Sequence, residues 1–187
     1  MKFIIVHGSF GNKEGNWFPE LESRLKSLGQ KVYAPQFPVD TWNDLTRNGI
    51  KIPPKNQQLD NWLKLLKPYI KGKEPICMIG HSLGCVFILR AVEYFNLKLD
   101  CAIFVSPFLG KLETSWQINH VNESFTKKPY DFELLQKNVK TMYALYSDND
   151  PYVSKKHALA FIKKTHSASI SVHSAGHMNS EVNMNEF

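Results

Sequence analysis

Five residues near the middle of the chain, Gly80-His81-Ser82-Leu83-Gly84, have the spacing of a nucleophile elbow, a sharp turn that exposes a serine hydroxyl. The same five letters also describe an ordinary strand-to-helix turn, so the flanks decide. Residues 76–79 form an apolar run of strand length, and residues 83–95 read as a buried helix. Ser82 therefore falls on the junction, at a helix N-terminus whose dipole favours negative charge. Glycines two residues to either side leave room for the strained backbone that such a junction needs.

A serine hydroxyl is a weak nucleophile until a base takes its proton and a third group orients the base. Where such an elbow occurs, the acid follows the serine in the chain and the histidine follows the acid. His177 lies on the loop after the last strand candidate, 169–173, at the end of the sheet where Ser82 emerges. His173 competes, but it falls inside the alternating run Ile-Ser-Val-His-Ser, where an edge or strand-face role is the plainer account. His120, His157 and His166 lie in polar or helical surroundings and are expected to face solvent.

The strand candidate 142–146 leads into Ser147-Asp148-Asn149-Asp150-Pro151. Both aspartates are placed to orient a histidine. Asp150 lies further out and precedes a rigidifying proline, whereas turn chemistry accounts for either aspartate on its own. From the residues alone Asp150 leads and Asp148 stays open.

Charge developing on an acyl oxygen needs backbone N–H donors. Leu83, next after the serine, is one expected donor. The other comes from His7-Gly8-Ser9-Phe10-Gly11 after the first strand, with Ser9 expected and Phe10 behind it. His7 reads as a structural member of that loop. Phe10 and Trp116 are the expected contacts of an apolar acyl group, with Trp17, Phe108 and Leu109 as further candidates, and all five fit core or cap packing equally. Such a constellation attacks an ester or related small acyl compound and passes through an acyl-enzyme. No metal or organic cofactor is expected, since the histidines lack HxxEH spacing and no dinucleotide fingerprint follows the first strand.

The elements that must position these residues alternate along the chain. Strand candidates are 3–6, 31–34, 76–79, 101–105, 142–146 and 169–173; helix candidates are 17–28, 59–70, 83–95, 132–138 and 154–163. Trp17, Leu21, Leu25 and Leu28 make one apolar stripe, which favours a core role for Trp17, and Gly29 follows in the place of a C-terminal cap. Near-continuous apolar strands buried on both faces imply a parallel α/β sheet, with the site outside the strands' C-terminal ends. The long stretches 35–58 and 110–131 fit no short connection. The second is expected to form at most a small cap, without a large lid.

With 187 residues, 43% apolar and 21% charged, the chain fits one domain over 1–187. Its net charge of +6 is spread over lysines in ones and twos, without a basic run interleaved with aromatics, so neither nucleic acid nor membrane is an expected partner. Cys77, Cys85 and Cys101 lie in apolar segments without CxxC spacing, as free thiols do in a reducing compartment. The first residues are too short an apolar run for a signal peptide, so the cytoplasm is the expected location.

VHGSFGNKEGNWFPEL, IGHSLG, SDNDPYV and AGHMN together resemble the small α/β-hydrolases grouped with retinoblastoma-binding protein nine and the bacterial YdeN-like proteins. The resemblance spans nearly the whole chain. It implies an α/β-hydrolase fold, a compact three-layer sandwich of about six parallel strands with helices on both faces, and a serine hydrolase activity. It also implies Ser82 as nucleophile, Asp150 as acid and His177 as base. The human member's L-x-C-x-E segment is not preserved: Leu83-Gly84-Cys85-Val86-Phe87 has phenylalanine in place of the acid, so no pocket-protein partner is expected. A rival from another class is a binding protein on the same scaffold with the three residues unused. A metal-dependent hydrolase is a third reading, which indifference to a chelator would remove.

Overall fold

A computed structural model describes residues 1–182; positions 183–187 of the expected domain lie outside the described residues. Eight strands occur among the described residues: β1 (Lys2–Val6), β2 (Lys31–Tyr33), β3 (Thr46–Arg47), β4 (Ile50–Lys51), β5 (Ile76–His81), β6 (Leu99–Val105), β7 (Val139–Ser147) and β8 (Ala168–Val172). Six of them pair as one sheet in the order β2-β1-β5-β6-β7-β8, and every neighbouring pair is parallel. All six residues of β5 are buried, as a central strand covered on both faces requires. The chain reverses its winding beside β1, so the C-terminal ends of β1 and β5 open onto a crevice where loops from both sides meet.

The helices are α1 (Phe18–Ser27), α2 (Leu59–Leu66), α3 (Leu83–Phe95), α4 (Trp116–Val121), α5 (Glu123–Thr126), α6 (Phe132–Asn138) and α7 (Lys155–Thr165). One face of the sheet packs against α2, α3, α5, α6 and α7, around Phe37, Trp62, Phe87, Phe125 and Phe161. The other face receives α1, through Trp17, Phe18, Leu21 and Leu25 against Ile5, Val32, Cys77 and Ile79. The expected helices on both faces are present, but the layers are unequal. Among the described residues, no helix is long and apolar enough to cross a membrane.

Local chemistry sets the boundaries. Gly29, at φ +73°, closes α1: its N–H reaches the Lys26 carbonyl and the Gln30 N–H reaches Leu25. α2 stops at Leu66 rather than residue 70, because Pro68 has no N–H to continue the ladder. In the stretch 35–58, β3 and β4 form a hairpin through Asn48-Gly49, both at positive φ. In 110–131, α4 and α5 form instead of an irregular loop. The two insertions meet where His120 Nε2 donates to the Ile52 carbonyl at 2.8 Å, and together they make a small cap. His120 is therefore half-buried rather than solvent-facing.

Candidate active site

Ser82 links the end of β5 to the start of α3 at φ 53° and ψ −115°, a strained conformation for a residue with a Cβ. Space explains the flanking glycines. A Cβ on Gly80 would lie 2.6 Å from the Gly84 carbonyl carbon, and one on Gly84 would run into the Val6 carbonyl oxygen. The turn is fixed from below by Ser82 N–H, which donates to the Val105 carbonyl at 2.8 Å. Ser82 itself is 9% exposed, at the wall of a cavity of about 320 Å³.

His177 borders the same cavity from the loop after β8. Its Nδ1 is 2.8 Å from Asp150 Oδ2, in a pair whose side chains are 9% and 2% exposed. The two carboxylate oxygens divide the work: Oδ1 accepts the N–H groups of Tyr152 and Val153, each at 2.9 Å, and Oδ2 is left for the imidazole. Burial pushes Asp150 up, but these hydrogen bonds, above all the one from His177, outweigh it and hold the carboxyl below its ordinary value. An imidazole that donates from Nδ1 to a carboxylate keeps its Nε2 lone pair free to accept a proton.

Asp148 takes a different partner. It accepts from His173 Nδ1 at 2.5 Å and from Ser174 N–H at 2.8 Å. β8 ends at Val172, so His173 lies just past the strand, exposed, and not on a strand face as expected. Next along, Ser147 Oγ accepts the Ala175 N–H and Asn149 Oδ1 accepts the Gly176 N–H. Residues 147–150 thus grip residues 173–177 one after another, and this grip sets where His177 stands.

A second set of bonds holds the His177 backbone. His81 Nε2 lies 2.9 Å from the His177 carbonyl, Ser106 Oγ reaches the same oxygen at 3.3 Å, and Trp17 Nε1 donates to Met178 at 3.0 Å. Trp17 is fully buried, in keeping with core packing. Burial, with the nearby His177, pushes His81 down to about 3, so it is a neutral Nε2–H donor at ordinary pH.

The loop after β1 supplies backbone donors. Among the described residues the N–H groups of Ser9 and Leu83 have no hydrogen-bond partner, whereas the Phe10 N–H is occupied by Gln57 Oε1 at 2.9 Å. Phe10 is thereby removed as the reserve donor. His7 is buried and structural: Nε2 accepts from Phe37 N–H at 3.1 Å, so Nδ1–H donates to the Gly8 carbonyl at 2.8 Å. Burial lowers its pKa and keeps it neutral. The loop is bolted to both insertions, because Ser9 Oγ and Gln57 Nε2 both donate to Asn122 Oδ1, at 2.7 and 3.0 Å. Asp40, also buried, holds Gln57 through its backbone N–H at 2.8 Å.

Phe10 lines the cavity, stacked on Trp42 with centroids 4.7 Å apart. Trp116 does not line it: α4 turns Ile118 to the cavity and Trp116 to an outer cleft, where Lys51 sits over the indole. Phe108 is core, and Leu109 packs against that core. Sequence reasoning missed Trp42, Tyr152, Asn16 and Glu181 as cavity walls; Tyr152 was in view, two residues after Asp150. Among the described residues, no group of three His, Cys, Asp or Glu side chains is placed to hold a metal ion.

Known proteins resemble the chain over most of its length. The sequence is 26% identical over 176 residues to YdeN of Bacillus subtilis (strain 168), described as a hydrolase, covering 92% of this chain and 83% of that protein. Methylesterase 1 of Arabidopsis thaliana is 30% identical over 114 residues, 60% of this chain but only 41% of the plant protein. In three dimensions the B. subtilis ydeN gene product superposes with a TM-score of 0.82 at 24% identity, over 100% of this chain and 92% of the other. The Butyrivibrio proteoclasticus protein Est1E, solved with ferulic acid bound, superposes at 0.68 and 17% identity, over 95% and 81%. These two likenesses establish the α/β-hydrolase fold. The sequence pattern of the serine hydrolase family matches residues 3–187, and the chain belongs to that family of hydrolases.

Proposed function

We propose that this hydrolase cleaves small esters, with Ser82 as nucleophile, His177 as general base and Asp150 as the group that orients and stabilises the imidazolium. The observation that carries the reading is the buried Asp150–His177 pair opening onto the same cavity as a serine held at positive φ. Ser82 Oγ attacks the acyl carbonyl while His177 Nε2 takes its proton. The oxyanion is received by the unoccupied N–H groups of Leu83 and Ser9, the first of which also lies at the positive end of α3. His177 then returns the proton to the leaving alcohol, and water releases the acyl group by the same route. A cavity of about 320 Å³ under a small cap suits a short acyl group. Relatives named as methylesterases are consistent with ester chemistry.

The test is labelling with a fluorophosphonate probe. Wild type is expected to label covalently, and Ser82→Ala and His177→Ala are not. On an ester that wild type turns over, each variant should lose several orders of magnitude in kcat, and the double variant little more, because the residues act as one unit. Folded wild-type protein that stays unlabelled would sink the reading and favour a binding role for the scaffold.

A further inference from the structure

Among the described residues, the lining of the cavity beside Ser82 departs from the positive balance of the chain. The chain carries 23 lysines and arginines against 17 aspartates and glutamates. Among the described residues none of those cations lines the cavity, and the one acidic residue lining it is Glu181. Glu181 Oε1 accepts a hydrogen bond from Tyr152 Oη at 3.1 Å, and the Tyr152 ring lies 5.1 Å from the His177 ring. The carboxylate is thus tied to a side chain that borders the reacting centre.

The aromatic wall points the same way. Phe10 and Trp42 stack at 13° between planes, and Trp42 is 46% exposed. Among the described residues no cation of the chain sits over either ring; the cation–π pairs are Lys51 on Trp116 and Arg90 on Tyr130. Lys51, Lys111 and Lys127 line the outer cleft together with Trp116 and Glu123, whereas the inner face of the cap offers Leu112 and Ile118 to the cavity. An aromatic face with an available quadrupole and a nearby carboxylate attract an ammonium group and repel an anion.

We propose that this cavity selects esters bearing an ammonium group over neutral or anionic esters of the same shape, with Glu181 and the Phe10–Trp42 wall receiving the cation. This rests on the esterase reading above and adds the substrate class to it. A carboxylate in water and an exposed ring face together make a preference of about tenfold in kcat/KM.

Three matched acetate esters measure it at low salt. They are the ester of choline, its isostere with a tert-butyl group in place of trimethylammonium, and the ester of a carboxylate-bearing alcohol of the same length. The expected order is cation, neutral, anion. The cation-to-neutral ratio should fall toward one in Glu181→Gln and in Trp42→Ala, two substitutions on exposed side chains far apart in the chain. A ratio near one in wild type, or a ratio unmoved by both substitutions, overturns the proposal. Calorimetric binding of the choline ester and its isostere to Ser82→Ala separates the two readings. If wild type turns over no ester, the esterase reading fails, and a choline preference in this binding measurement still supports the selectivity while equal affinity overturns it.

Discussion

A single methyl group is enough to break the turn that presents Ser82. Gly84 faces the Val6 carbonyl oxygen and Gly80 faces the backbone of Gly84, neither of which has a flexible side chain to yield. Gly84→Ala is expected to destabilise the fold by at least about 2 kcal/mol, read from the urea midpoint; a variant as stable as wild type would mean the strands part more easily than their packing implies. His81 gives a pH dependence at the same scale. Its folded pKa of about 3 lies below the roughly 6.5 of an unfolded histidine, so only the unfolded chain takes up this proton between those values. The stability it contributes is present above about pH 6.5 and is lost as pH falls toward 3, with a slope up to about 1.4 kcal/mol per pH unit. Unfolding free energies of His81→Gln across that window should show a shallower slope, and an unchanged slope would assign the acid sensitivity elsewhere. Asp150 and Asp148 show what residues alone do and do not disclose. Both sit on one loop of turn-forming residues; their types favour Asp150 while leaving Asp148 open, and the three-dimensional pairing gives His177 to the first and His173 to the second.

At the scale of elements, the loop after β7 and the loop after β8 behave as one unit. Ser147 is 1% exposed and its Oγ both donates to Asn149 Oδ1 at 2.7 Å and accepts the Ala175 N–H at 3.0 Å. Ser147→Ala leaves that N–H unpaired, at a cost of about 1–3 kcal/mol. Since His177 is two residues further on, kcat should fall about tenfold with KM little changed; a change in KM alone would argue against a positioning role. The sheet strands and the helices around them were legible in the sequence because each is a run long enough to show its period: β5, α3 and β6 all fall within two or three residues of expectation. The cap was not. α4 and α5 have six and four residues, too few for a helical period to stand out, and β3 and β4 have two each. The Asn48-Gly49 pair was the available hairpin signal, but its flanks lack the alternation that normally supports it. Trp116 was misassigned for the same reason: without a helix to orient it, nothing in the sequence says which way it turns.

For the whole molecule, helices crowd one face of the sheet, while Tyr143 and Ile170, in register with Ile103 and Leu145 on the opposite face, remain 40% and 47% exposed. Stability is accordingly concentrated around Trp62 and Phe87, and conservative polar replacements at Tyr143 or Ile170 should shift it little. The other global feature is how the cap is attached. Asn122 from the second insertion and Gln57 from the first, both buried, are hydrogen-bonded to each other and to the loop that carries Ser9. A roof hydrogen-bonded to the floor of the site in this way is not built to swing as a separate lid, so no activation by oil–water interfaces is expected. Turnover of a sparingly soluble ester should therefore rise hyperbolically through its solubility limit with no jump where droplets form, and progress curves should start without a lag.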